Sequence, residues 1–106
     1  MENYSGSSDI SVWTTIGDSK FGEDQIYAIA WGSDKFVSGG EKGKITYSSD
    51  GENWTAVTDS KFGSRYYITA VTYGNGKFIA AGINHKTGDG KMAYRSASRK
   101  NQTEMG

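Results

Sequence analysis

One short stretch of the chain concentrates side chains suited to holding a polar ligand. Arg65, Tyr66 and Tyr67 are consecutive, and a guanidinium beside two phenol rings can stack on a sugar and hydrogen bond to its hydroxyl groups. Four further residues in predicted loops are candidates for the same surface: Glu23, Asp24, His85 and Lys86. The alternative is that the tyrosines pack the loop and Arg65 is a solvated charge.

The same residues do not predict a metal centre or a catalytic centre. His85 is the one histidine of the chain, and there is no cysteine. A stable metal site needs three or four converging ligands, so His85 beside Lys86 is more simply an exposed loop. The sequence predicts no metal, no cofactor and no catalytic residue.

A second group of residues is suited to fastening a turn. Residues 47–54 read YSSDGENW. Serine and aspartate side chains accept hydrogen bonds from turn N–H groups, a glycine at position 51 permits a positive φ, and the tryptophan can fold back as an apolar plug. We therefore expect a structural role, and not ligand contact, for four residues: Ser48, Asp50, Gly51 and Trp54.

This turn belongs to an internal repeat. Residues 7–13 read SSDISVW and precede the matching turn by 41 positions, so that a weaker copy is predicted at Ser7, Asp9 and Trp13. The string DSKFG occurs at 18–22 and again at 59–63, with the same offset. Internal repeats of this length indicate a repeated supersecondary unit.

Composition and turn spacing predict an all-β fold. The chain has fifteen glycines, no proline and 13% aromatic residues, which suits short strands joined by tight turns, and no window has helical spacing of apolar residues. Eight strands are predicted, at 12–17, 26–31, 35–39, 43–49, 53–58, 68–73, 77–83 and 90–96. Four short antiparallel strands in each repeat of about 40–45 residues are typical of a β-propeller blade.

The segment YSSDGENWT resembles the Asp-box, the BNR-type repeat of sialidase-like β-propellers, and the resemblance extends over roughly residues 7–96. It implies that the turn lies away from the ligand-binding face and that the loops around the central channel carry any ligand site. The spacing from Asp50 to Trp54 is shortened, and the third copy has decayed to RSAS at 95–98. Sialidases also need an arginine triad, whereas this chain has only Arg65, Arg95 and Arg99, so a glycoside hydrolase is the remote alternative.

The strand order predicts assembly. One outer strand comes first, a complete set of four follows, and the last set lacks its outer strand. We expect the strand at 12–17 to complete the second blade of another copy, because propellers need 4–8 blades and unpaired edges are removed in a closed ring. A homotrimer of six blades is favoured; a tetramer, a swapped dimer and a fragment of a longer gene product are the alternatives.

Charge and segment composition define the remaining expectations. Twelve basic and twelve acidic residues argue against nucleic acid or a membrane surface as partner, and no leader or membrane span is predicted, so a soluble protein of undetermined location is expected. We divide the chain into an N-terminal segment at 1–11, two blades at 12–97 and a flexible tail at 98–106. The predicted function is a multivalent, lectin-like glycan-binding ring; the alternative is a scaffold, natural or engineered, without a small-molecule ligand.

Overall fold

A computed structural model describes residues 10–97, and its strands follow the predicted pattern of short segments and tight turns. Residues 10–97 contain seven strands: β1 (Ile26–Gly32), β2 (Lys35–Gly40), β3 (Ile45–Ser48), β4 (Thr55–Ala56), β5 (Tyr66–Gly74), β6 (Lys77–Asn84) and β7 (Gly90–Ser96). A single 3₁₀ turn, Glu41–Gly43, connects β2 to β3. The all-β class is confirmed. No helix among the described residues is long and apolar enough to cross a membrane.

The strands form two antiparallel sheets. The first sheet has the order β1-β2-β3-β4 and the second the order β5-β6-β7. The same irregularity occurs in the first strand of each, where a bulge shifts the register between Ile26 and Ala28 and again between Ile68 and Ala70. The two sheets therefore repeat one another in detail, down to the position of the extra residue.

The segment at 12–17, predicted to be a strand that pairs with another copy, is not a strand in the single chain. Residues 12–16 have no regular secondary structure, and Val12 and Trp13 are largely exposed. A strand exists only beside a partner that completes its hydrogen bonds, and no strand among residues 10–97 pairs with this segment. The strands predicted at 43–49 and 53–58 are shortened to β3 and β4, because tight turns occupy their ends.

The core lies where the second sheet packs on the first. Phe62, Ile68 and Ala80 are its buried members. A Cβ atom added to Gly39 of the first sheet would stand 2.6 Å from the Ile68 side chain, and one added to Gly32 would stand 2.0 Å from the Tyr73 ring. The two sheets thus approach so closely that β1 and β2 need glycine at these two contact points.

The repeated DSKFG strings form the same turn, which precedes the first strand of each sheet along the chain. Asp18 Oδ1 accepts a hydrogen bond from the Lys20 N–H at 2.9 Å, and Asp59 Oδ1 accepts one from the Lys61 N–H at 3.0 Å. In each turn the following phenylalanine is buried, with 1% of Phe21 exposed and 2% of Phe62. The internal repeat therefore extends to backbone hydrogen bonding.

Candidate ligand-binding surface

The predicted loops of the first sheet meet one another at one end of that sheet. Glu41 Oε1 accepts a hydrogen bond from the Gln25 N–H at 2.9 Å. Asp24 forms ion pairs with Lys42 at 2.7 Å and with Lys44 at 2.6 Å. The hydrogen bond from Lys42, and after it the one from Lys44, lowers the pKa of Asp24. Asp24 therefore fastens the loop, and its carboxylate is already engaged.

Three aromatic rings form a cluster at this end and join the two sheets. Tyr67 of β5 stacks on His85, with ring centroids 4.9 Å apart and an interplanar angle of 27°. Tyr27 of β1 also contacts Tyr67, with ring centroids 5.8 Å apart. We call Tyr27, Tyr67 and His85 the aromatic cluster. Tyr67 is half-buried and the outer two rings are exposed, so the cluster offers ring surface to a ligand.

Arg65 contributes its backbone to the aromatic cluster. The carbonyl oxygen of Arg65 accepts a hydrogen bond from the His85 N–H, and His85 Nδ1 lies 2.9 Å from the same oxygen. Because a carbonyl oxygen only accepts, Nδ1 carries the proton. In the neutral imidazole Nε2 is then an acceptor. His85 is held in one orientation by two bonds to one atom.

The hydroxyl group of Tyr27 gives the cluster a polar edge. It lies 3.1 Å from Gln25 Oε1 and 3.4 Å from Glu41 Oε2. Burial, followed by the negative charge of Glu41, raises the pKa of Tyr27, so the phenol stays protonated at neutral pH. Tyr27 is accordingly a hydrogen-bond donor, and the phenolate that nucleophilic catalysis would require is disfavoured.

The structure brings together some of the predicted site residues and separates others. Tyr67 and His85 are in contact, whereas Tyr66 points elsewhere: its ring packs edge-on against Phe62, and Lys91 Nζ lies 4.7 Å above it. For Tyr66 the alternative of loop packing therefore describes the contacts. Three candidates are exposed on the surrounding loops: Glu23, Arg65 and Lys86.

Sequence reasoning missed Tyr27 as a member of the cluster. Tyr27 was assigned to a strand whose residues alternate between faces, but it occupies the bulge between Ile26 and Ala28. The side chain of the extra residue in a bulge does not follow the normal alternation between the two faces of the sheet. The available signal was the run IYAI, in which apolar residues three apart break the period of two.

The Ser48–Trp54 turn has the predicted fastening role. Ser48 Oγ donates to Asp50 Oδ1 at 2.9 Å and accepts from the Gly51 N–H at 2.8 Å. Gly51 has φ = 82°, a conformation that favours glycine. Trp54 Nε1 donates to the Gly51 carbonyl oxygen at 3.2 Å, and its ring lies 6.3 Å from that of Phe36.

Asp50 is the centre of this turn. Its Oδ1 atom accepts from the N–H groups of Glu52 and Asn53, each at 2.8 Å, and Oδ2 accepts from Asn53 Nδ2 at 2.8 Å. These bonds, of which the Asn53 N–H contributes most, hold the pKa of Asp50 far below its usual range. The carboxylate is occupied by the turn and is not available to a ligand.

Asp50 is expected to make the stability of the chain fall in acid. A carboxyl whose pKa is lower in the folded than in the unfolded state stabilises the fold above the unfolded pKa of about 3.9, and this stabilisation is lost as pH falls below that value. Asp50→Asn should therefore lower the urea midpoint at neutral pH, and its difference from the wild-type midpoint should become smaller at about pH 2, as protonation of the unfolded carboxyl begins to offset the stabilisation. Equal midpoint differences at both pH values would contradict the assignment. Asp18→Asn, at an exposed ion pair with Lys20, is the matched control, with a smaller effect.

The second copy of the turn is described only in part. Ser7 and Asp9 lie outside the described residues. Trp13 Nε1 donates to the Ile10 carbonyl oxygen at 2.6 Å, which is the bond that Trp54 makes to Gly51. The difference is burial: 9% of Trp54 is exposed, compared with 85% of Trp13.

Neither a cluster of metal ligands among the described residues nor a similarity to a known protein accompanies this surface. Within residues 10–97, no group of three or more His, Cys, Asp or Glu side chains is placed to hold a metal ion. The chain matches no protein-family model, no curated protein and no solved structure.

Proposed function

We propose that the chain is a non-catalytic β-propeller module whose two sheets are blades of a ring completed by further copies, and that the loop face of the ring binds glycans. The observation that carries the binding proposal is the aromatic cluster, in which Tyr67 stacks on His85 and contacts Tyr27 across the two sheets. The resemblance to Asp-box repeats supports the propeller assignment.

The chemistry of the cluster suits a sugar. The apolar face of a pyranose ring packs on aromatic faces, and its hydroxyl groups need donors and acceptors at the edge of the stack. The cluster has both, because Glu41 and the Tyr27 hydroxyl lie beside the rings. A ring of three copies would present three such sites on one face, and weak identical sites gain affinity when several engage together.

A glycan array with wild-type protein is the test of this function, followed by titration of the best glycan against variants. Tyr67→Ala is expected to weaken binding about tenfold, the loss that corresponds to one aromatic contact of about 1.4 kcal/mol. Lys35→Ala is the control, since Lys35 is exposed at the start of β2, at the opposite end of the first sheet from the aromatic cluster. Binding that survives Tyr67→Ala together with His85→Ala would remove the proposed site.

A structural or protein-interaction scaffold is the second candidate function. The observation in its favour is the number of large apolar side chains left exposed on the sheets, including Ile29, Trp31, Met92 and Tyr94. Assembly of the chain without binding to any glycan on the array would favour this function over the first.

A further inference from the structure

The contact between the two sheets provides a template for a contact between two copies of the chain. Ile68 and Val71 of β5 pack over Gly39 of the first sheet, and Tyr73 of β5 packs over Gly32. One side of this contact is thus a set of large side chains on the first strand of a sheet. The other side is a sheet surface made shallow by glycine.

The first sheet carries its own set of these large side chains, and nothing in the described part of the chain covers them. Ile26, Ile29 and Trp31 stand at the repeat positions of Ile68, Val71 and Tyr73. Ile68 is 0% exposed, whereas Ile26 is 48% exposed and Ile29 and Trp31 are more so. We call these three residues the forward face. Removing such apolar side chains from water is favourable, so this face is suited to being covered.

The second sheet carries its own copy of the shallow, glycine-containing surface, and this copy is also uncovered. Gly74 stands at the repeat position of Gly32, and a Cβ atom there would meet nothing within 4 Å. Met92 and Tyr94 stand at the positions of Ile45 and Tyr47, and 74% of Met92 is exposed. We call Gly74, Met92 and Tyr94 the rear face. One difference is that Ala81 replaces Gly39, so the incoming Ile26 must lie farther out than Ile68 does.

In the second sheet β7 is an edge strand, whereas its counterpart β3 in the first sheet is not. In the first sheet β4 covers β3, with Thr46 opposite Ala56 and Tyr47 opposite Thr55. β7 has no such neighbour among residues 10–97. The repeat assigns the missing strand to 12–17, and this alignment sets Thr15 opposite Ala93 and Thr14 opposite Tyr94.

A cleft lies where the repeat would place the tryptophan of that missing strand. In the first sheet Trp54 packs beside Phe36, and the repeat counterpart of Phe36 is Phe78. Phe78 lines a cleft of about 600 Å³ between the two sheets. The alignment therefore places the exposed Trp13 ring of the incoming strand in this cleft.

The position of segment 12–17 favours another copy as the acceptor. The turn at 59–63 leads from the outer edge of the first sheet to the first strand of the second. The turn at 18–22 has the same hydrogen bonds and the same buried phenylalanine, and it leads into β1. By this correspondence segment 12–17 leaves on the side of the first sheet that faces away from the second.

We propose that a second copy of the chain docks head to tail, with its forward face on the rear face of the first copy and its segment 12–17 added as a strand beside β7. The partner on the rear face is the chain itself, because one sequence contains both halves of an existing intramolecular contact. It also contains the added strand and the sheet edge that this strand fits. The inference rests on the ring assembly in the proposed function, but it is independent of any glycan.

Mass in solution tests the docking, measured by light scattering coupled to size-exclusion chromatography. Wild-type protein is expected at about three times the 11.5 kDa of one chain. Gly74→Val fills the space that the incoming Trp31 requires and is expected to give a folded monomer, as judged by near-UV circular dichroism. Ser64→Val is the control, because Ser64 is exposed in the turn before β5 and belongs neither to the two faces nor to segment 12–17; the mass of this variant should be that of the wild type. Wild-type monomer, or an unchanged mass for Gly74→Val, overturns the proposal.

Disulfide trapping supplies a second readout that does not depend on the folding of Gly74→Val. The chain has no cysteine, so Thr14→Cys with Tyr94→Cys is the only thiol pair in that double variant. Directly opposed strand residues are close enough for a disulfide. Covalent oligomers on a non-reducing gel are expected. A disulfide formed within one chain, or free thiols after oxidation, overturns the proposal. Failure of glycan binding with these results intact would leave the docking in place and remove only the ligand.

Discussion

Phe62→Ala is expected to lower the free energy of unfolding by about 3–5 kcal/mol, the usual cost of removing a buried phenylalanine. Phe62 is 2% exposed and belongs to the buried group formed with Ile68 and Ala80. A domain of this size is stabilised by only about 5–15 kcal/mol, so the loss is a large part of the total. The measurement is urea unfolding followed by tryptophan fluorescence.

Two further variants separate the loss of the Phe62 ring from a general effect of substitution. Phe62→Leu refills most of the space and should cost clearly less than Phe62→Ala. Ile10→Ala removes an exposed side chain and should change stability by no more than about 0.5 kcal/mol. Equal costs for Phe62→Ala and Ile10→Ala would show that the contact between the sheets is not the centre of the fold.

The strands were predictable because each is bounded by glycine or by a polar turn and the pattern occurs twice. Six of the eight predicted strands overlap β1 to β3 and β5 to β7, and a seventh contains the two-residue β4. The exception at 12–17 has the sequence pattern of the segment that contains β4, but no strand among residues 10–97 lies beside it. A period of two identifies a strand, but pairing depends on an edge that local sequence does not describe.

The Ser48–Trp54 turn was predictable residue by residue for a related reason. All of its hydrogen bonds join residues at most three positions apart, so the chemistry of the side chains and their spacing contain the whole structure. Where the interactions are local, sequence reasoning reached atomic detail.

The aromatic cluster was only half predictable. Tyr67 and His85 were among the candidates, but their stacking joins residues 18 positions apart, and Tyr27 enters from the other sheet, 40 positions before Tyr67. Tyr66 and Tyr67 look equivalent in the sequence, yet successive residues of a strand point to opposite faces. One therefore packs against Phe62 while the other reaches the cluster.

The glycines carry the information about how the sheets pack. Gly32 and Gly74 occupy the same position of the repeat, and only the structure shows that a Cβ atom at Gly32 would enter the Tyr73 ring while one at Gly74 would meet nothing within 4 Å. Substitution at Gly32 therefore disturbs the single chain, and substitution at Gly74 acts only on whatever packs there from outside. This asymmetry between two equivalent positions is what makes assembly testable apart from folding.

Trp54→Ala is expected to cost about 3–5 kcal/mol of unfolding free energy. The ring of Trp54 is buried against Phe36, which itself packs against Trp31 at 4.7 Å between centroids. Removing the indole leaves the edge of the first sheet without its apolar cover and takes away the hydrogen bond to Gly51. The measurement is urea unfolding of the monomeric Gly74→Val background, followed by circular dichroism because a tryptophan is lost.

Trp13→Ala is the matched substitution, because Trp13 makes the same hydrogen bond one repeat earlier but is exposed. In the monomeric background it should change the free energy of unfolding by no more than about 0.5 kcal/mol, as expected at an exposed site. In the wild-type background Trp13→Ala should instead reduce the mass in solution, because the proposed assembly needs the Trp13 ring to fill the cleft beside Phe78 of another copy. A large cost for Trp13→Ala in the monomer would mean that the ring is buried within its own chain. The pair thus separates what one tryptophan does for a single chain from what the other does between chains.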